Sequence, residues 1–247
     1  MDLFAGYAPW QLAAALAAAF GSAFVRGLTG FGMAILLVPV LAVALPPIES
    51  VLLANFLSIL IGLSQIGRLV RGAERSAWTI SAIVLVVAPF GFMALAWTTP
   101  GVARLVIALI AFSAFVAVLL PRRGVAVPGH VTTGGVGVLS GLMTGYAGMP
   151  GPPVVPYYVG RDIPRETAKA SMMLIFIIAP VAGLVSGAAM DVLDWTLGGL
   201  ALCLFPAVLA GNRLGDRVSG RIDDRLWRTV VGLVLGGAAI AAAVRLL

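Results

Sequence analysis

Two stretches rich in glycine and proline contain the residues whose types and spacing could do chemistry. Gly27–Pro39 reads GLTGFGMAILLVP and Gly141–Pro156 reads GLMTGYAGMPGPPVVP, each within apolar sequence of about membrane-spanning length. Inside a helix glycine costs about 1 kcal/mol relative to alanine, and proline about 3 kcal/mol, so the stretches predict two interrupted helices. A break frees backbone N–H groups at the positive end of a helix dipole, and such groups bind small anions.

Arg26 stands between apolar Val25 and the first stretch, where it could balance the charge of a bound anion. A central arginine costs about 2.5–3.5 kcal/mol on insertion scales, and its planar guanidinium suits sulfite, sulfonate or carboxylate oxygens. The alternative is an arginine at a hairpin mouth that extends to the lipid headgroups. We expect a substrate-binding site formed by Arg26, Gly27, Thr29, Gly30, Gly32, Asn55, Thr144, Gly145, Tyr146, Gly148 and Ser171.

Other roles stay open for these residues. Glycines let membrane helices pack closely, and isolated Asn or Ser side chains often hydrogen-bond a neighbouring helix. Ser58 lies one helical turn from Asn55 and could join the site. Glu49 and Glu166 begin corresponding spans, where they could carry a coupling proton or complement the helix dipole.

The composition predicts an integral membrane protein. The 247 residues are 61% hydrophobic and 11% charged, and the mean hydropathy is +1.08. Apolar runs of about twenty residues recur, the length that crosses a bilayer core of roughly 30 Å as a helix. The alternating short segments of a β-barrel fit poorly. We therefore predict an all-α polytopic protein with a single transmembrane domain over residues 1–247.

Several classes of function are excluded by what the sequence lacks. The net charge of +6 comes from arginines between apolar runs, which typically report orientation, so we expect no nucleic acid. With one cysteine, Cys203, and one histidine, His130, neither an internal disulfide nor a Cys/His metal cluster can form. An enzyme would need a nucleophile with a base or paired membrane aspartates. We predict no enzyme activity, no cofactor and no metal.

The two halves of the chain resemble each other. Four residue pairs are each separated by 117 positions, which indicates an internal duplication with repeats at approximately 10–120 and 131–246; they are Pro39/Pro156, Glu49/Glu166, Trp78/Trp195 and Pro89/Pro206. Each repeat is expected to hold a broken-helix hairpin followed by three transmembrane helices, although two full crossings would suit the hairpin sequence as well.

The distribution of arginine predicts the orientation. Loops at 68–75, 121–123, 161–169 and 213–228 are basic, whereas 46–49, 98–103 and 190–194 carry no basic residue. Basic loops stay in the cytoplasm. Each repeat then makes an odd number of net crossings, so the repeats are inverted, as in carriers that alternate access around a central site.

At these residues the sequence resembles the TauE/SafE family of sulfite and organosulfonate exporters. The likeness lies in Arg26–Gly32 with Pro39, in the segment that Glu49 begins, in Pro150–Pro156 and in Pro206–Gly215. It implies a multi-pass permease of the bacterial inner membrane that moves small sulfur-containing or carboxylate anions. Family members often carry a run of glycines in each motif. Phe31 and Ala147 interrupt these runs here, so substrate size does not carry over.

We therefore expect a secondary transporter for a small anion, with sulfite or an organosulfonate as the substrate. A carrier for small carboxylates and an anion channel are the alternatives. The expected partners are the anion, the lipid bilayer, a coupling proton and, as a homo-oligomer, further copies of the chain. The sequence contains no P-loop, so an ion or substrate gradient would supply the energy.

Overall fold

The structure is a computed structural model that describes residues 6–29, 32–63, 72–119, 128–159 and 161–218. Within these ranges the regular structure is helical, which confirms the predicted all-α class. The helices are α1 Pro9–Thr29, α2 Met33–Ala44, α3 Pro47–Leu63, α4 Arg75–Trp97, α5 Pro100–Leu119, α6 His130–Ala147, α7 Gly151–Val159, α8 Arg165–Ala189 and α9 Thr196–Val218.

Four helices in the described part of the chain are long and apolar enough to cross a membrane. They cover Pro9–Leu28, Arg75–Trp97, Glu166–Ala189 and Thr196–Val218. The chain is therefore a multi-pass membrane protein, as its composition predicts. The sequence also predicts a final helix over Thr229–Val244, which lies outside the described residues.

Helices α1 and α2 form an antiparallel hairpin. The Gln11 amide in the first turn of α1 donates to the carbonyl oxygen of Ala44 at the end of α2, at 2.7 Å. The Tyr7 hydroxyl donates to the Glu49 carboxylate at 3.2 Å, so both ends of the hairpin lie beside the start of α3. We call this the Glu49 end of the molecule. With 12 residues, α2 is about 18 Å long, well short of a crossing.

Helices α6 and α7 form the second hairpin. The Thr133 and Tyr157 hydroxyls share a 2.8 Å hydrogen bond, which ties the start of α6 to the last turn of α7. The Tyr158 hydroxyl bonds that of Ser76 in the first turn of α4 at 2.8 Å. We call this the Glu74 end. With 9 residues, α7 is about 14 Å long.

The two hairpins open at opposite ends of the molecule. Helix α4 starts at the Glu74 end and runs 23 residues, about 35 Å. The next helix, α5, places Arg104 at the Glu49 end, where its Nε donates to the carbonyl oxygen of Ala42 at 2.6 Å. The hairpins therefore enter from opposite sides, and their breaks meet inside.

The apolar runs of the sequence predict helices over Trp10–Val25 and Trp195–Leu209, and the structure extends both. Helix α1 continues past Val25 through Arg26 to Thr29, and α9 continues past Leu209 to Val218. Both extensions lie where these two helices pack together, because Gly215 lies against the α1 backbone. The Gly- and Val-rich sequence around His130 predicts a connection, but His130 begins α6. Tertiary packing thus extends helices that local glycine content would end.

The helices pack in two groups. The first group is α1, α2, α3 and α9, and the second is α4, α6, α7 and α8; the closest pairs are α1 with α9 and α4 with α6. Helices α3 and α8 join the groups, and α5 contacts α2 and α7. Each close pair contains one helix from each predicted repeat, the pattern expected of a duplication. The repeat limits and the inversion stay predictions.

Candidate functional site

A cavity of about 590 Å³, its mouth included, lies between the two hairpin breaks. The first group lines it with residues of α1, the first break and α3. The second group contributes the second break and the α8 residues Met173, Phe176, Ile177 and Pro180. These positions run from the ninth to the sixteenth of the 25 residues of α8. The cavity is therefore near the middle of that span.

The first break exposes the N-terminus of α2. Gly32 has φ 93° and ψ 4°, a left-handed conformation that glycine adopts without steric cost. It precedes Met33, Ala34 and Ile35, which line the cavity. All three keep the backbone N–H that the first turn of a helix leaves unpaired, so this terminus can donate to an anion.

The second break is held by its own hydrogen bonds. Gly148, with φ 65° and ψ 18°, donates its N–H to the carbonyl oxygen of Thr144 at 2.7 Å. The Ser140 hydroxyl donates to the carbonyl oxygen of Pro150 at 2.9 Å. Helix α7 then starts with Gly151 followed by Pro152 and Pro153, and prolines have no N–H to donate. The start of α7 is thus the weaker donor of the two.

Arg26 supplies the charge. It lies in the last turn of α1, where a cation suits the helix dipole, and it lines the cavity. Its Nη1 donates to the Asn212 side-chain oxygen on α9 at 3.1 Å. A guanidinium has five N–H donors, so this bond orients Arg26 and does not exhaust its capacity. Of the described residues that line the cavity, Arg26 alone is charged.

Asn55 lies beneath the cavity on α3. Its side chain is 1% exposed, and neither amide atom has a hydrogen-bond partner among the described residues. Gly148 and Gly183 flank it, and a Cβ at Gly183 would collide with its Nδ2. An unpaired buried amide costs about 1–3 kcal/mol. Asn55 is therefore a buried polar group that the described residues leave without a hydrogen bond in this arrangement.

Two predicted glycines lie between helices. A Cβ at Gly27 would collide with the backbone carbonyl oxygen of Asn212 on α9. A Cβ at Gly145 would collide with the carbonyl oxygen of Ala88 on α4. Both glycines thus serve close helix packing, the alternative role that the sequence left open, and neither lines the cavity.

Four further predicted residues also have roles or positions away from the lining. The Thr144 hydroxyl donates to the carbonyl oxygen of Ser140 at 2.7 Å. The Ser171 hydroxyl accepts the N–H of Glu74 at 2.9 Å. Tyr146 packs against the main apolar core. Thr29 is the last residue of α1. Gly30, also predicted, lies outside the described residues.

Of the eleven predicted residues, Arg26, Gly32 and Gly148 line the cavity, and Ser58 joins them. Sequence reasoning missed the α8 face and Asn212. Pro180 inside an apolar span was a signal for the α8 face. Asn212 gave no such signal, because it precedes Arg213, Asp216 and Arg217 at the polar end of α9.

Comparison with known proteins adds the family. No curated protein and no solved structure shows significant similarity to the chain. The family model described as sulfite exporter TauE/SafE matches residues 14–242, a range that includes both helix breaks and the residues that line the cavity between them. The chain therefore belongs to the sulfite exporter TauE/SafE family.

Proposed function

We propose that the protein is a secondary carrier that moves sulfite or an organosulfonate across the membrane through the cavity between its hairpins. The observation that carries the proposal is that one cavity is lined by both helix breaks and by Arg26. The family supports a small anionic substrate. Access would alternate between the two ends as the two groups of helices move.

Recognition of the anion would begin at Arg26 and the start of α2. The guanidinium offers paired N–H groups to two oxygens of one sulfite or sulfonate. The backbone N–H groups of Met33, Ala34 and Ile35 offer further donors, supported by the helix dipole. The Ser58 hydroxyl in the lining can donate to a remaining oxygen.

The rest of the lining is apolar and would receive the organic part of a sulfonate. Met149, Phe176 and Ile177 line the cavity opposite Arg26's helix group. Pro152 and Pro153 reduce the donors on this side. We expect the charged oxygens to face α2 and any carbon group to face α8.

The setting of this carrier is also part of the proposal. We place the protein in a bacterial inner membrane, with the basic loops in the cytoplasm. A coupling proton is proposed as the source of energy, and a homo-oligomer as the assembled state. A carrier for small carboxylates and an anion channel are the alternative outcomes of the experiments below.

Thermal stabilisation of the purified protein tests the substrate class. Sulfite or a sulfonate should raise the melting temperature more than sulfate or small carboxylates. Arg26→Gln removes charge-assisted hydrogen bonds worth about 1.5–3 kcal/mol, so it should weaken binding roughly 10- to 100-fold. The matched control is Arg213→Gln, since Arg213 is an exposed arginine on α9. This variant should bind the anion as the parent does. Full stabilisation of Arg26→Gln by the preferred anion would contradict the role of Arg26.

Transport in liposomes separates a carrier from a channel. A carrier should show saturable uptake and exchange between labelled anion inside and unlabelled anion outside. Conductance that does not saturate would indicate the channel. Preference for carboxylates in both assays would indicate the carboxylate carrier.

A further inference from the structure

The cavity lies at the junction of two bodies that do not coincide with the sequence repeats. The first group takes α9 from the second half of the chain, and the second group takes α4 from the first half. Within each group, glycine lets one backbone touch another: Gly215 lies against α1, and Gly145 against α4. Such contacts hold α1 to α9 and α4 to α6, whereas α3 and α8 contact each other across the boundary between the groups.

Helices α3 and α8 form that junction, and they run antiparallel. Leu52 lies over Gly187, Asn55 over Gly183, and Ile177 over Gly62. The last pair lines the cavity. The first two pairs lie between the cavity and the Glu49 end, because Leu52 is one turn from Glu49 on α3.

The Glu49 side of the cavity is closed. Val51, Leu52 and Leu53 on α3 are 0% exposed, and Val38 on α2 is also 0% exposed. Val51 and Val38 both pack toward Gly148 at the second break. An anion in the cavity therefore meets a packed apolar layer in this direction.

The buried Asn55 amide destabilises the closed apolar layer. Its amide is buried without a hydrogen-bond partner among the described residues, because Gly183 and Gly148 pack against it. Separation of α3 from α8 would uncover the amide to water or to an anion oxygen. The closed arrangement thus carries a polar penalty that opening removes, which reduces the free-energy difference between the closed and open arrangements.

We propose that two contacts between α3 and α8 form a gate that closes the cavity toward the Glu49 end: Leu52 on Gly187 and Asn55 on Gly183. During each transport cycle α3 separates from α8 at this gate. This inference rests on the proposed function and deepens it. The α4–α6 contact stays closed throughout the cycle.

A reversible disulfide across the gate tests the inference. Cys203, the only cysteine, is first replaced by Ala, and Leu52→Cys with Gly187→Cys is added. Removal of the Leu52 side chain makes room for a side chain at 187, since the Leu52 Cδ2 would lie 2.7 Å from a Cβ there. In liposomes, oxidation should reduce sulfite uptake at least tenfold, and dithiothreitol should restore it. Uptake by the reduced protein shows that the variant folds.

The control disulfide lies inside the second group. Ile83→Cys with Gly137→Cys joins facing positions on α4 and α6, where a Cβ at 137 would lie 2.9 Å from the Ile83 Cβ. A disulfide spans about 3.8 Å between Cβ atoms, so it should form after a small shift of the two helices and leave uptake unchanged. Unchanged uptake with the 52–187 disulfide formed would overturn the gate. Equal loss with both disulfides would also overturn it, because any cross-link would then block transport.

Binding separates this inference from the proposed function. The oxidised 52–187 protein should keep the melting-temperature shift produced by sulfite, because the cavity does not need the gate to open in order to bind. Loss of that shift together with uptake would mean that the disulfide distorts the site, and the gate would be rejected. Absence of uptake of every anion in the Cys203→Ala parent would reject the carrier itself.

Discussion

At the scale of single residues, an ion pair at the Glu74 end ties the residue before α4 to the segment between α7 and α8. Arg161 donates through Nη1 and Nη2 to the two carboxylate oxygens of Glu74, the second bond measuring 2.8 Å. The guanidinium also lies 5.4 Å from the ring centre of Tyr157. The hydrogen bonds from Arg161 hold the pKa of Glu74 below its usual range. The side chain of Arg161 is only 6% exposed, so solvent screens this pair less than a surface pair.

This pair should make stability depend on pH. A carboxylate whose folded pKa is depressed stabilises the protein above its unfolded pKa of about 4.3 and loses that contribution as pH falls through the folded value. Glu74→Gln should therefore cost about 1–2 kcal/mol at pH 7, for a partly buried charged hydrogen bond. The difference in melting temperature from the parent should shrink below pH 4.

The control is Asp162→Asn, an exposed acid beside Arg161. It should change the melting temperature little at either pH. A Glu74→Gln deficit that stays constant down to pH 3 would show that the pair does not stabilise the fold through its charge.

At the scale of helices, glycine does two different things in this chain. At Gly32 and Gly148 it permits left-handed backbone and so ends or begins a helix. At Gly91, Gly145 and Gly215 it stays inside a helix and lets a neighbouring backbone approach. The close pairs that result form the two groups and leave the cavity between them.

Alanine at two glycines of α6 should separate packing from helix propensity. Gly145→Ala places a methyl against the α4 backbone, and overpacking of this kind costs about 1–3 kcal/mol. Gly134, at the start of the same helix, has no neighbour within 4 Å of a Cβ, so Gly134→Ala should be neutral or gain up to about 1 kcal/mol. Melting temperatures of both variants, with and without sulfite, are the measurement.

The melting temperature measured with sulfite distinguishes a packing role of Gly145 from a binding role. If Gly145→Ala is less stable but sulfite still raises its melting temperature by the same amount, Gly145 serves packing. Unchanged stability with loss of the sulfite shift would return Gly145 to the binding site that the sequence suggested.

At the scale of the whole molecule, the two ends differ in charge. Tyr7, Glu49 and Asp194 lie close enough at one end to interact; burial, followed by the Glu49 charge, raises the pKa of Tyr7 to about 12. Tyr7 therefore stays protonated near neutral pH and donates to Glu49. Arg161 and Lys169 lie at the opposite end, which the arginine distribution predicts to face the cytoplasm.

Labelling of intact cells tests this orientation. In the Cys203→Ala background, Val192→Cys near Asp194 should react with an impermeant maleimide added outside, because Val192 is exposed at the Glu49 end. Asp162→Cys at the Glu74 end should react only after the membrane is permeabilised. The reverse pattern would invert the orientation and with it the direction in which the proposed gate opens.

The sequence by itself determined the helical class, the membrane location, the family resemblance and the two places where helices break. These features depend on local properties: apolar length, the steric freedom of glycine and the missing N–H of proline. Gly32 and Gly148 were found for this reason. The sequence also identified Arg26, because a charge in an apolar span needs a partner.

Only the tertiary structure decided which of these residues share a cavity. Gly27 and Gly32 both belong to the first glycine-rich stretch, yet Gly27 lies inside α1 against α9, whereas Gly32 precedes α2 and lines the cavity. The Ser171 hydroxyl accepts the N–H of Glu74, whereas the Asn55 amide has no hydrogen-bond partner within the described part of the chain. The α8 lining and Asn212 come from parts of the chain far from either break. Which face of a helix meets which neighbour depends on contacts between distant segments, and local pattern does not specify them.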